Sequence, residues 1–152
     1  MKMPNPQQKD LKSKDMSSLF HISLPCADIE KTTNFYINIL GCEMGRNAQH
    51  WVDINLLGHQ VTFTEVGKFS FENPNYVFEG KVLPSFHLGV IVNLDVWNTL
   101  YGKLSDEDCE IVHQKRFLNA KKGEHLSFFV KDPDRYMLEF KSFKNNNEIF
   151  EK

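Results

Sequence analysis

Between residues 19 and 24 apolar Phe20, Ile22 and Leu24 alternate with polar His21 and Ser23, a period of two that predicts a half-buried strand ended by Pro25. Asp28 is placed to cap a helix whose apolar residues Ile29, Phe35, Tyr36, Ile39 and Leu40 recur at helical spacing, with Gly41 as its stop. Three strand-like runs follow at 42–46, 51–56 and 60–66, the last two turned at Gly58. Residues 67–84 carry Gly, Pro and Asn among scattered aromatics and read as a long connection able to act as a lid. The order then repeats: a strand over 86–92, a helix capped by Asn93 with Leu94, Trp97, Leu100, Tyr101 and Leu104 on one face, and strands at 109–112, 126–130 and 136–143.

The two halves open on nearly the same phrase, Leu19-Phe20-His21-Ile22 and Ser85-Phe86-His87-Leu88. Two copies of one supersecondary unit pack about a pseudo-twofold axis, which predicts that His21 and His87 meet. Glu139 lies on the closing strand of the second unit, and two imidazoles with one carboxylate suit a divalent metal that keeps open coordination positions. The expected fold class is α+β, two β-α-β-β-β modules forming a cupped, mostly antiparallel sheet around a metal site. The expected organisation is a disordered tail over 1–18, a single domain over 19–143 (module one 19–66, linker 67–84, module two 85–143) and a frayed end over 144–152.

Composition narrows the classes. Among 152 residues, 18 basic and 20 acidic side chains give a net charge of −2 with the signs mixed, so no footprint for nucleic acid or a membrane surface is expected. No apolar run reaches spanning length and the first residues lack a secretory hydrophobic segment, which predicts a cytoplasmic protein. The three cysteines are odd in number and lack C-x-x-C spacing, so reduced thiols are expected.

The chain resembles the vicinal oxygen chelate superfamily of glyoxalase I, extradiol dioxygenases, fosfomycin-modifying enzymes and bleomycin-binding proteins. The resemblance rests on Phe20-His21, the helix ending Phe35-Tyr36-x-x-x-Leu40-Gly41, Phe86-His87, and Asp132-Pro133-Asp134 before Leu138-Glu139-Phe140. The stretch from Gly45-Arg46 through Trp51-Val52-Asp53 to Gly58-His59-Gln60 is similar to a bacterial subgroup described as predicted extradiol-type dioxygenases.

That resemblance implies His21, His87 and Glu139 as metal ligands. Where glyoxalases place a fourth, glutamate ligand, the nearest position is Thr62, with Gln60 and Thr64 on the same face. This departure favours a site open to a bidentate substrate and a small molecule such as dioxygen. Fe²⁺ is the favoured metal, with Zn²⁺, Ni²⁺ or Mn²⁺ as alternatives for the same donors.

The implied substrate is a small molecule with vicinal oxygens, and the implied activity its oxidative cleavage. The alternatives are a glyoxalase-like isomerase or lyase and a non-enzymatic drug- or metabolite-binding protein. His125 is the candidate proton shuttle. Phe129 stands where an extradiol enzyme has tyrosine, and Arg135 where it has glycine. Arg46, if it enters the cup, can hold a substrate carboxylate; a surface ion pair is the simpler expectation. Open sheet edges and the habit of these relatives further imply a homodimer in which both subunits can supply ligands.

Overall fold

A computed structural model describes residues 18–151. All but the last residue of the expected N-terminal tail lie outside the described residues. Module one runs β1 (His21–Cys26), α1 (Ile29–Thr33), β2 (Glu43–Ala48), β3 (Trp51–Leu56) and β4 (His59–Glu65). A hairpin of β5 (Asn75–Phe78) and β6 (Lys81–Pro84) follows. Module two runs β7 (Leu88–Ile91), α2 (Leu94–Asp106), β8 (Ile111–Phe117), β9 (His125–Lys131) and β10 (Met137–Phe143).

The strand orders are β1-β4-β3-β2 and β7-β10-β9-β8. In each sheet the first strand pairs parallel with the last and the other pairings are antiparallel. The repeat in sequence is thus a repeat in topology, and the α+β class is as expected. Among the described residues no helix is long and apolar enough to cross a membrane.

Local chemistry explains the elements and several differences from expectation. Asp28 Oδ1 accepts the backbone N–H groups of Glu30 and Lys31, both at 3.0 Å, and starts α1. The helix then widens into a π-helical turn over Asn34–Ile39, which buries both Phe35 and Tyr36 before Gly41 reverses the chain at φ +87°. Pro25 does not end β1. It stays in the strand opposite Thr64, tolerated because β1 is the edge of its sheet.

Residues 67–84, read as a loop, contain the β5–β6 hairpin, turned at Glu79 and Gly80 with φ of +47° and +72°. The C-terminal residues, expected to fray, form a 3-10 turn at Asn146–Glu148. There Glu148 accepts the Gly123 N–H at 2.7 Å and secures the β8–β9 loop.

One apolar core takes residues from both modules. Leu24, Val61, Phe63, Val52 and Ile54 from the first sheet join Phe128, Val130, Leu138 and Phe140 from the second, with Tyr36 and Trp97 from the helical segments. The Asp132-Pro133-Asp134-Arg135-Tyr136 turn links the halves. Asp132 Oδ2 accepts the Tyr36 hydroxyl at 2.9 Å, Asp134 accepts the Ala27 N–H at 2.7 Å and the Thr32 hydroxyl at 3.1 Å, and the Tyr136 hydroxyl donates to the Pro25 carbonyl at 3.0 Å. Arg135 sits in the turn at φ +72°, the left-handed region that favours glycine.

Burial pushes the Asp132 carboxyl up to about 7, against the hydrogen bond from Tyr36. With the folded value above the unfolded one, the native state holds the extra proton between pH 4 and 7. The stability this group contributes is present below that window and is lost as pH rises through it. Urea midpoints are therefore expected to fall between pH 5 and pH 8, and Asp132→Asn should reduce that fall. An unchanged pH slope in the variant would contradict the assignment.

Candidate metal centre

β10 presents Glu139 on the sheet face opposite the core, beside Gly89 of β7 and Phe129 of β9. Glu139 is 8% exposed, so its charge needs partners. Ser127, two residues before Phe129 on the same face of β9, donates its hydroxyl to Glu139 Oε1 at 2.6 Å. Lys141 Nζ lies 3.5 Å from Oε2.

His87, just before β7, brings Nε2 to 3.2 Å from Oε2, and its Nδ1 lies 3.2 Å from the Pro84 carbonyl oxygen. A carbonyl only accepts, so Nδ1 carries the proton and Nε2 is turned towards the carboxylate. With a neutral ring, a lone pair would face an anion. The pair therefore calls for a positive charge between its two atoms, a proton or a metal cation. Accordingly the hydrogen bond with Glu139 holds the His87 pKa above the ordinary histidine value despite burial. Burial works against the Glu139 carboxylate, but His87, Lys141 and Ser127 together keep its pKa below the usual range.

His87, Glu139 and Lys141 line a cavity of about 200 Å³ together with His125, Phe117 and Phe129. His125 lies between Phe117 and Phe143, with ring centroids at 5.4 and 5.0 Å, and its Nδ1 donates to the Gly123 carbonyl at 2.7 Å. Burial lowers its pKa, so near neutrality the ring is uncharged with Nε2 as its basic nitrogen.

The β5–β6 hairpin closes one side of the cavity. Tyr76, Phe78 and Leu83 line it, Phe78 packs on Phe117 at 5.8 Å, and Lys115 Nζ donates to the Glu79 carbonyl at 3.2 Å. The segment expected as a lid-like connection thus covers the site as a hairpin, and apolar residues flank Glu79-Gly80 in a hairpin pattern.

His21 is elsewhere. It is exposed on β1 and lines a separate cavity of about 550 Å³ in module one with Phe20, Arg46, Asp53, His59 and Gln60. Asp53, 5% exposed, organises this wall. It accepts the Thr62 hydroxyl at 2.6 Å, the Gln60 amide at 3.0 Å and the Arg46 Nε–H at 3.1 Å.

Among the described residues no three His, Cys, Asp or Glu side chains in one chain form a metal-holding group. The expectation that His21 and His87 meet within a chain is therefore corrected: one face of each sheet is used in a shared core, and each opposite face keeps its own cavity. His87, Glu139 and His125 do share a cavity. Ser127, Lys141 and the Pro84 carbonyl, which position the pair, were missed, though the first two alternate with His125 and Glu139 along their strands.

Gly89 sets the approach of β7 to β10: a Cβ there would lie 1.8 Å from the Glu139 carbonyl oxygen. Gly89→Ala should separate the strands, move His87 off Glu139 and destabilise the fold by at least about 2 kcal/mol, as overpacking against a backbone does. Urea unfolding checks this, and a wild-type midpoint would contradict it.

A family model described as Glyoxalase/Bleomycin resistance protein/Dioxygenase superfamily matches residues 18–140. A comparison with curated proteins found no match. Among solved structures, a glyoxalase/bleomycin resistance protein/dioxygenase from Alicyclobacillus acidocaldarius is 22% identical, with a TM-score of 0.75 over 88% of this chain and 97% of that one. The fosfomycin resistance protein FosX from Listeria monocytogenes is 19% identical, with a TM-score of 0.67 over 90% of this chain and 99% of that one. A mutant of that FosX was solved with Mn(II) and 1S,2S-dihydroxypropylphosphonic acid; it is 17% identical, with a TM-score of 0.60 over 82% of this chain and 89% of that one.

Proposed function

The chain belongs to the Glyoxalase/Bleomycin resistance protein/Dioxygenase superfamily, and on that premise we propose that it is a metal-dependent enzyme acting on a small molecule through two vicinal oxygens. The ligands are His87 and Glu139 of one protomer and the partner's His21. The observation that carries this is the 3.2 Å approach of His87 Nε2 to Glu139 Oε2 with Nδ1 committed to Pro84, an arrangement that fits a cation.

The partner is a second copy of this chain, because the third ligand type stands on a separate cavity of the same repeat. Apolar side chains are exposed beside both half-sites: Leu19 and Phe20 next to His21, and Val77 and Val82 on the hairpin over the His87 cavity. A closed twofold pairing covers both sets at once and completes two sites per dimer.

Oxidative cleavage of a catechol or ene-diol with dioxygen, using Fe²⁺, is the favoured reaction. The Thr62 hydroxyl, at the position of a fourth ligand, is engaged by Asp53, so module one adds His21 without a second strong donor. When bound, a divalent metal supplies Lewis acidity towards the chelated oxygens, and iron also supplies redox chemistry with dioxygen. The chain's own residues supply the rest. His125 takes the substrate hydroxyl proton on Nε2, and its Nδ1–H bond to Gly123 fixes the ring. Phe117, Phe129 and Leu83 keep water out. Phe129 cannot donate the hydrogen bond a tyrosine would.

Fe²⁺-loaded protein prepared without oxygen is therefore expected to consume dioxygen with catechol-type substrates, slowly. His125→Gln should lower kcat by about 10²-fold or more at unchanged metal content, and Phe129→Tyr should raise it. An oxygen electrode and metal analysis make the measurement. No oxygen uptake, with retained Zn²⁺, Ni²⁺ or Mn²⁺ and turnover of a hemithioacetal, would replace this reading by an isomerase. Neither activity in metal-replete protein would leave a binding protein.

A further inference from the structure

The wall around His21 is built in a way that metal ligation alone does not require. β2 pairs with β3 until Met44, slips, and resumes at Asn47, so Gly45 and Arg46 form a bulge. Bulges re-aim a side chain out of the regular alternation. At the bulge β2 passes so close to Asp53 that a Cβ on Gly45 would lie 3.1 Å from the Asp53 Cβ. Glycine permits the approach, and the approach lets Arg46 reach across. Its Nε donates to Asp53 Oδ2 at 3.1 Å while its side chain stays 79% exposed in the His21 cavity.

Two features separate this arginine from a simple counter-ion. Asp53 already accepts from Thr62 and Gln60, so its oxygens are served without Arg46. The bond to Arg46 also uses the Nε edge of the guanidinium. That bond leaves its two terminal amino groups, which donate to nothing else among the described residues, as a planar fork on a side chain that lines the cavity. A fork of that shape matches the two oxygens of a carboxylate.

We propose that the substrate is a small carboxylic acid bearing vicinal oxygens, its carboxylate held by the terminal amino groups of Arg46, with Asp53 as a positioning residue. The proposal rests on the composite metal site in one respect: the vicinal oxygens lie on the metal that His21 helps to hold, in the cavity Arg46 faces.

Calorimetric titration of the Mn²⁺-loaded full chain with 3,4-dihydroxybenzoate and with its methyl ester tests this, since both offer the same vicinal oxygens. The acid should bind about tenfold more tightly, as one charge-assisted pair provides. Arg46→Met should bring the two within about twofold while leaving affinity for the ester and the metal content unchanged. Should that variant fold poorly, Arg46→Lys keeps the charge without the fork and should lose most of the preference. Equal affinities in the wild-type protein, or a preference that survives either variant, would overturn the inference and leave the metal site standing. If the protein takes up no metal, the metal reading fails by itself. The metal-free chain is then titrated with benzoate and benzyl alcohol. Arg46-dependent benzoate binding would sustain the carboxylate site, and its absence would remove it.

Discussion

Each four-stranded sheet gives one face to the core that the two modules share, and that face can be buried only once. Val61, Phe63, Phe128 and Phe140 share a single core, sealed by the Asp132 and Asp134 bonds to Tyr36, Thr32 and Ala27. The opposite faces are thereby left outside that core with separate cavities, one holding His21 and the other His87 and Glu139 beside a smaller apolar cluster of Leu83, Phe117, Phe129 and Met137. A chain that folded these two faces together would have to expose the aromatic core, at roughly 2 kcal/mol for each large side chain. The splitting of the site is a consequence of how the fold is stabilised.

The same constraint explains the polar walls. A buried carboxylate persists only where donors surround it, and both cavities contain one. Glu139 is served by Ser127, His87 and Lys141, and Asp53 by Thr62, Gln60 and Arg46. In the first, an imidazole nitrogen opposite an anion makes a place for a cation. In the second, the donors leave an arginine fork free.

Much of this was legible in the sequence, because the repeat and the period-two alternation are local signals. The β3 boundaries, the Asp28 and Asn93 caps, the α2 face and the shared topology follow from such patterns. What was not legible depends on tertiary context. Pro25 continues a strand only because that strand is an edge. The π-helical turn depends on seating Phe35 and Tyr36 together. The β5–β6 hairpin is held by Phe117 and Lys115, far along the chain. For the site, the motif residues were readable while their partition was not. Equivalence in a repeat says which residues correspond, and only the shared core says that they stay apart in one chain.

The claim that a second copy completes the centre is tested most directly by complementation. His21→Ala and His87→Ala chains, each carrying a different tag, are refolded together, the mixed dimer is isolated, and its tightly held Mn²⁺ is counted after dialysis. Each variant alone should hold none. The mixed dimer pairs an intact His21 from one chain with an intact His87 and Glu139 from the other, and should hold one ion per two chains. No metal in the mixed dimer, or a full complement in His21→Ala alone, would contradict the account.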